Sequence, residues 1–272
     1  MAGRILITAA PNGARKTKAD HPGLPMTTRE LVETAVSCAA AGAGMMHFHI
    51  RDTAGRHSLD PETYRRTLSA LEAAVGGRML LQVTSESAGT YPQPEQIDLM
   101  KRLAPHCLSC GLREFIRKER DLESAAQFFS ELHKNGVLVQ YILYSPAETA
   151  WFRKLCDDGV VPGEKHFLLF VFGRYTDPAA PEPSLAEFLQ PLACHRLPYS
   201  WMVCGFAQRE FVQAEAAAQR GGHIRVGFEN NCQRPDGSLA VDNSEQVATM
   251  VALAQRYGRI PAGKAFAASL HR

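Results

Sequence analysis

The 272-residue sequence contains no run of like charge: 30 Lys and Arg stand against 28 Asp and Glu, a net charge of +2. Without a basic stripe, nucleic acid and anionic membrane surfaces are not expected as partners. No apolar stretch approaches the roughly 18 residues that would span a bilayer. No secretory leader is expected either, because Met1-Ala2-Gly3-Arg4 leads straight into the strand-like Ile5-Leu6-Ile7-Thr8. Proline- or glycine-rich linkers and low-complexity segments are absent, which argues against a second domain. The seven cysteines are odd in number and scattered (Cys38, Cys107, Cys110, Cys156, Cys194, Cys204, Cys232), which excludes a disulfide framework. Cys107 and Cys110 form a single C-x-x-C without the second pair that a structural zinc site needs, so both read as buried thiols. A reduced, cytoplasmic protein is expected.

What the chain does have is periodicity. At 45% hydrophobic residues it can bury a large core. Short apolar runs alternate with helix-like segments: Arg4–Pro11, then Thr27 to about Ala43, whose Thr27-Thr28-Arg29-Glu30 start is capping-box-like. The second strand covers Met45–Asp52, followed by a helix opened by Asp60-Pro61-Glu62. Later strands are expected at Met79–Thr84, His106–Gly111, Val137–Tyr144, Lys165–Gly173, Ser200–Cys204 and His223–Phe228. The intervening helices fall at Gln93–Leu103, Asp121–Asn135, Ala147–Asp158, Ser184–Leu192 and Gln208–Arg220, and a last helix at Ser244–Tyr257. Strands separated by helices pair in parallel, and eight such units of about 34 residues predict a single-domain α/β fold, a (β/α)8 TIM barrel over residues 1–272.

Two stretches carry chemistry. In Met45-Met46-His47-Phe48-His49-Ile50-Arg51-Asp52, a strand would place His47 and His49 on one face. In His223-Ile224-Arg225-Val226-Gly227-Phe228-Glu229, the alternation places Arg225, Gly227 and Glu229 on a common face. On one closed sheet these side chains converge as a two-histidine, one-carboxylate metal site with an open position. All of them, with Ser85 and Glu86, fall at strand C-terminal ends, where barrel active sites lie. Arg225 is suited to a substrate carboxylate or to orienting a base, the alternative being an ion pair with Glu229 or Asp52. Arg174 and Tyr175, just past the sixth strand, are candidates for gripping an anionic ligand. His57, His106, His133, His195 and His271 have no partner at ligand spacing and read as solvated or structural. An amidohydrolase-type site also begins with H-x-H on a barrel strand. It requires histidines at the ends of strands five and six, but Ile142-Leu143-Tyr144 and Val171-Phe172-Gly173 stand there.

Ile7 to Ala14, Thr17-Lys18, Pro22 to Pro25, His47 to Asp52, Trp201 to Gly205, Gly222 to Asn231 and Gly237 to Ala240 with Asn243 together resemble the β-keto acid cleavage enzymes, over nearly the whole chain. The resemblance implies a zinc-containing TIM barrel, usually a homotetramer, that converts a β-keto acid and acetyl-CoA into acetoacetate and a new acyl-CoA. It implies zinc on His47, His49 and Glu229 and a catalytic role for Arg225, with Asn12, Thr84, Ser85 and Cys107 at substrate-binding positions. The departures are specific. The family's Glu-Asp-Asn reads Glu229-Asn230-Asn231, and an amide cannot replace the Asp as general base. Glu86 (or Asp52) is then the candidate base. Cys107 stands at a Ser/Thr position, Glu114-Phe115 follows Arg113, Gln140 and Ile142 replace acidic residues, and Arg15 enters the first loop. A substrate bearing an ammonium group is therefore not expected. A different metal-dependent lyase or hydrolase, or a non-catalytic metal binder, remains open as an alternative at this stage.

Overall fold

The computed structural model describes residues 3–173, 182–193 and 198–270. Eight parallel strands close into a barrel in sequential order: β1 (Ile7–Ala9), β2 (Met45–His47), β3 (Leu80–Thr84), β4 (Cys107–Gly111), β5 (Leu138–Leu143), β6 (His166–Phe172), β7 (Tyr199–Gly205) and β8 (His223–Val226). β8 returns to β1 in the register Arg225↔Thr8, which closes the cylinder. The outer layer contains α1 (Thr28–Ala41), α2 (Pro61–Val75), α3 (Gln93–Leu103), α4 (Leu122–Lys134), α5 (Pro146–Asp157), α6 (Leu185–Leu189), α7 (Arg209–Arg220) and α8 (Asn243–Arg256). The expected (β/α)8 barrel is thus the observed fold. Among the described residues no helix is long and apolar enough to cross a membrane.

Local sequence explains the helix starts. Thr27 accepts from the Glu30 amide and Glu30 reaches back to the Thr27 N–H, a complete capping box. Asp60, Ser145 and Asp242 cap α2, α5 and α8 with side-chain oxygens that accept from the Thr63, Glu148 and Glu245 amides, and Pro61 and Pro146 take the first helical positions. The strands split their side chains by period two. Along β4, Leu108 and Cys110 join the layer between barrel and helices, while Cys107 faces the barrel interior with Leu6, Met45, Leu80, Leu138, Phe167 and Met202. The short helix Lys264–Ala268 plugs the N-terminal end through Phe266, Ala267 and Leu270.

Two boundaries differ from expectation, and both bear on the site. β2 ends at His47, so His49 is not on the strand. After Phe48-His49 the chain forms a small antiparallel pair, Ile50–Arg51 with His57–Ser58. β8 likewise ends at Val226, and Glu229 sits in a turn. Gly227 makes that turn at φ +146°, a conformation L side chains rarely adopt, and a Cβ there would overlap the Ala10 carbonyl. Gly227→Ala is accordingly expected to lower stability by at least about 1–3 kcal/mol, read as a reduced urea midpoint. A variant as stable as the parent would show that the turn can relax.

Candidate active site

The barrel interior changes from apolar at its base to polar toward the C-terminal mouth. His47, at the end of β2, has its Nδ1 3.0 Å from Gln82 Oε1. Gln82 in turn donates from Nε2 to Gln140 Oε1 at 3.1 Å. This chain fixes the amide's orientation, so the His47 Nδ1 must be the donor and its Nε2 carries a lone pair. His49 is placed by Asn12, whose Oδ1 accepts the His49 N–H at 3.1 Å and whose Nδ2 donates to the His49 carbonyl at 2.8 Å. The two imidazole Nε2 atoms meet 3.0 Å apart.

Glu229 completes the cluster, with Oε2 3.4 Å from His47 Nε2 and 3.8 Å from His49 Nε2. The three residues each offer one ligand atom, all within 4.8 Å of one another, and all three are buried. Several groups hold the turn that carries Glu229. Its N–H donates to Ala10 O at 3.0 Å, Lys16 donates to Phe228 O at 2.9 Å, and Asn243 Oδ1 accepts the Phe228 N–H at 2.9 Å. Beneath it lies the buried carboxyl of Glu210, which accepts from Asn231 Nδ2 at 3.0 Å and from the Gly227 N–H at 3.4 Å. Burial pushes that carboxyl up to about 8. No sequence signal marked Glu210, because it lies in an ordinary helical segment.

Burial, with Arg225 adding to it, holds His47 and His49 well below the ordinary imidazole range, so both rings are neutral. Two neutral imidazoles whose Nε2 atoms face each other, with a carboxylate beside them, are the donor set that a divalent cation takes. The residues present therefore fit a metal ion. Arg225 donates to the Glu229 carboxylate and, at 3.4 Å, to Asn230 Oδ1. The expected ion pair is formed with Glu229. It is not formed with Asp52, whose carboxylate is tied to Arg56 at 2.8 Å and to the Ala54 and Arg56 amides in an exposed turn. Asp52 is thus out of reach of the cluster as a base.

Glu86, just past β3, lies 3.6 Å from His49 Nε2 through its Oε2. Burial, then the neighbouring Glu229 and Glu114 carboxylates, push it up to about 8. Together with Arg225, Glu229, Asn230, His47 and Thr84 it lines a cavity of about 210 Å³ at the barrel mouth. The cavity's ionisable groups are equal in number, Arg15, Arg113 and Arg225 against Glu86, Glu114 and Glu229, with burial favouring the neutral form of the Glu86 carboxyl. A bound divalent cation would make the cavity more positive and favour an anionic ligand. The far wall is uncharged, formed by Ile142, Val171, Cys204 and Phe206.

The remaining expected residues divide. Thr84 reaches the cavity, although its Oγ1 accepts the Glu86 N–H at 3.0 Å. The Ser85 hydroxyl donates to Ser109 O at 3.2 Å, and Asn12 is occupied in holding His49. Neither lines the cavity. Cys107 sits one interior layer lower, its thiol 3.7 Å from Gln82 Nε2 and pushed up to about 12 by burial. It is Ser109, two residues on along β4, that faces His47, its Oγ 3.4 Å from Nδ1. The resemblance had placed Cys107 at a substrate-binding position; it shares the interior face with Ser109 but lies deeper, because two residues of strand rise roughly 6.6 Å. Glu114, a departure from the resembled pattern, accepts the Ser87 N–H at 2.8 Å and so ties the loops after β3 and β4. Arg113 stacks 3.5 Å above the Tyr144 ring. His57, expected to be solvated or structural, packs against His49. Arg174, Tyr175, His195 and His271 lie outside the described residues.

A closed parallel barrel that gathers two neutral imidazoles, a carboxylate and an arginine at its C-terminal rim belongs to the class of (β/α)8 proteins with a metal-type site at the catalytic face. Within that class the family is clear. The model of the beta-keto acid cleavage enzymes matches residues 4–270, and the chain belongs to that family. It is 27% identical to the 3-keto-5-aminohexanoate cleavage enzyme of Fusobacterium nucleatum over 94% of this chain and 93% of that protein. It is 24% identical to the 3-oxoadipate:acetyl-CoA acetyltransferase of Cupriavidus necator, over 93% and 89% of the two chains. Among solved structures, a ternary complex of ObcA with a C4-CoA adduct and oxalate superposes with a TM-score of 0.74. That match covers 92% of this chain and 67% of the other at 14% identity, and it speaks for the fold.

Proposed function

We propose that this chain is a zinc-dependent acyltransferase that converts a β-keto acid and acetyl-CoA into acetoacetate and a new acyl-CoA. The observation that carries the reading is the convergence of His47, His49, Glu229, Arg225 and Glu86 on one cavity. A zinc ion held by His47, His49 and Glu229 would supply Lewis acidity toward a bound carbonyl. Arg225, anchored by Glu229 and Asn230, offers guanidinium N–H groups at the cavity wall, where negative charge on a substrate oxygen is stabilised. Glu86 serves as the base that removes a proton from C2 of the keto acid. Its raised affinity for protons suits that task, and Asn230, being an amide, cannot perform it. The resulting enolate takes the acetyl group from acetyl-CoA and releases CoA thiolate. Attack of that thiolate on the original keto carbon cleaves C2–C3, giving acyl-CoA and the enolate of acetoacetate, to which Glu86 returns the proton at C2.

The uncharged wall of Ile142, Val171, Cys204 and Phe206 supports an acyl tail without charge. An ammonium group there would be desolvated with no partner on that wall. The test is elemental analysis of the purified protein with an acetyl-CoA-dependent assay across keto acids. One zinc per chain is expected, with acetoacetate formed faster from 3-oxohexanoate than from 3-keto-5-aminohexanoate. Zinc without acetoacetate from any keto acid would sink the acyl transfer and leave a different metal-dependent lyase or hydrolase. Absence of metal would remove the reading.

A further inference from the structure

The small strand pair after β2 brings a third imidazole to the cluster. His57 pairs with Arg51 in antiparallel register, which folds its ring back against His49. Its Nε2 lies 2.8 Å from the Glu86 carbonyl oxygen. A carbonyl only accepts, so the hydrogen of a neutral His57 is on Nε2 and its Nδ1 carries a lone pair. That Nδ1 lies 3.4 Å from His49 Nδ1. Of the two facing nitrogens, His49 Nδ1 is therefore the one placed to donate, in competition with its Nε2, which lies 3.0 Å from His47 Nε2. A hydrogen on Nδ1 leaves His49 Nε2 as a lone pair beside His47 Nε2 and Glu229.

We infer that His57 is a positioning residue, one that fixes the His49 tautomer so that its Nε2 is presented to a metal ion. The inference rests on the metal reading above. His47 reaches the same state through Gln82 and Gln140, so two separate relays set the two ligands alike. The relay has a further consequence, because the carbonyl that orients His57 belongs to Glu86. The segment carrying the candidate base is thereby tied to one ligand of the cluster through a single ring.

Three measurements on the 272-residue chain test the inference. Long-range nitrogen–proton NMR of the metal-free protein is expected to show His49 protonated on Nδ1 and His57 on Nε2. Zinc competition against a chromophoric chelator is expected to show His57→Ala binding about 10–100-fold more weakly than the parent, the range for groups that support a ligand. The cobalt-loaded His57→Ala variant is expected to show an altered visible spectrum. His57→Gln, which can offer an acceptor to His49 and a donor to Glu86, should recover most of the affinity. A His49 ring protonated on Nε2, or a folded His57→Ala variant with unchanged zinc affinity, overturns the inference. If His57→Ala does not fold, the tautomer spectrum of the parent decides. If the parent binds no zinc, the metal reading fails, and the same spectrum still decides whether the relay exists.

Discussion

Glu86→Gln is expected to lower kcat by about 10²–10⁴-fold, the contribution of a well-placed general base, with zinc content unchanged. The amide keeps the side chain's size, and the Glu86 backbone remains free to accept from His57 and to donate to Thr84 Oγ1. What is lost is the capacity to take a proton at the cavity wall. Glu86 is the carboxylate available for that role because Glu229 is engaged by Arg225 and the imidazoles, and Asp52 is held by Arg56. Steady-state rates with a β-keto acid and acetyl-CoA, measured beside zinc content, read the two effects separately. Retained turnover would exclude Glu86 as the base. Loss of turnover together with loss of zinc would make Glu86 a ligand instead, which its 3.6 Å approach to His49 would allow.

The second large effect concerns Glu229. Glu229→Gln is expected to weaken zinc binding by more than about 100-fold, since groups that merely support ligands already account for 10–100-fold. The amide is a poor metal ligand, and Arg225 exchanges a charge-assisted partner for a neutral one. Hydrogen bonds to charged groups contribute about 1.5–3 kcal/mol, so the guanidinium should also be less well fixed. Chelator competition gives the affinity, and the loss should appear without any change in the far-ultraviolet circular dichroism. Zinc bound by Glu229→Gln as tightly as by the parent would show that the cluster is completed by another group, with Glu86 the nearest carboxylate. That outcome would also reassign the base.

Much of the fold was legible in the sequence because alternating strand and helix periods admit few closures, and the capping residues Thr27 and Asp60 mark helix starts by local chemistry alone. The ligand set was legible for a related reason: His47, His49 and Glu229 are polar residues beside strand ends in otherwise apolar runs, where burial demands a partner. The reason first given for their convergence was incomplete. Pleat alternation explains His47, but His49 and Glu229 lie beyond the last paired residues of β2 and β8. They are aimed by Asn12, by Gly227 and by the hydrogen bonds around the Phe228 and Asn231 turn.

Depth along a strand was not readable either. Cys107 and Ser109 share a face, and only the stagger of β4 against β3 and β5 places Ser109 beside His47 and Cys107 under Gln82. By itself, then, the sequence determined the barrel, the three residues of the candidate metal cluster and the amide at Asn230 where the resembled pattern has an aspartate. Only the tertiary structure decided that Asp52 is out of reach, that Glu86 stands against the cluster, that Glu210 lies beneath the Glu229 turn, and that His57 touches His49. Each of those relations depends on where a connection or a helix end comes to rest, and those positions follow from closure of the whole barrel. Periodicity sets the elements, whereas the distances between their ends exist only once the chain is folded.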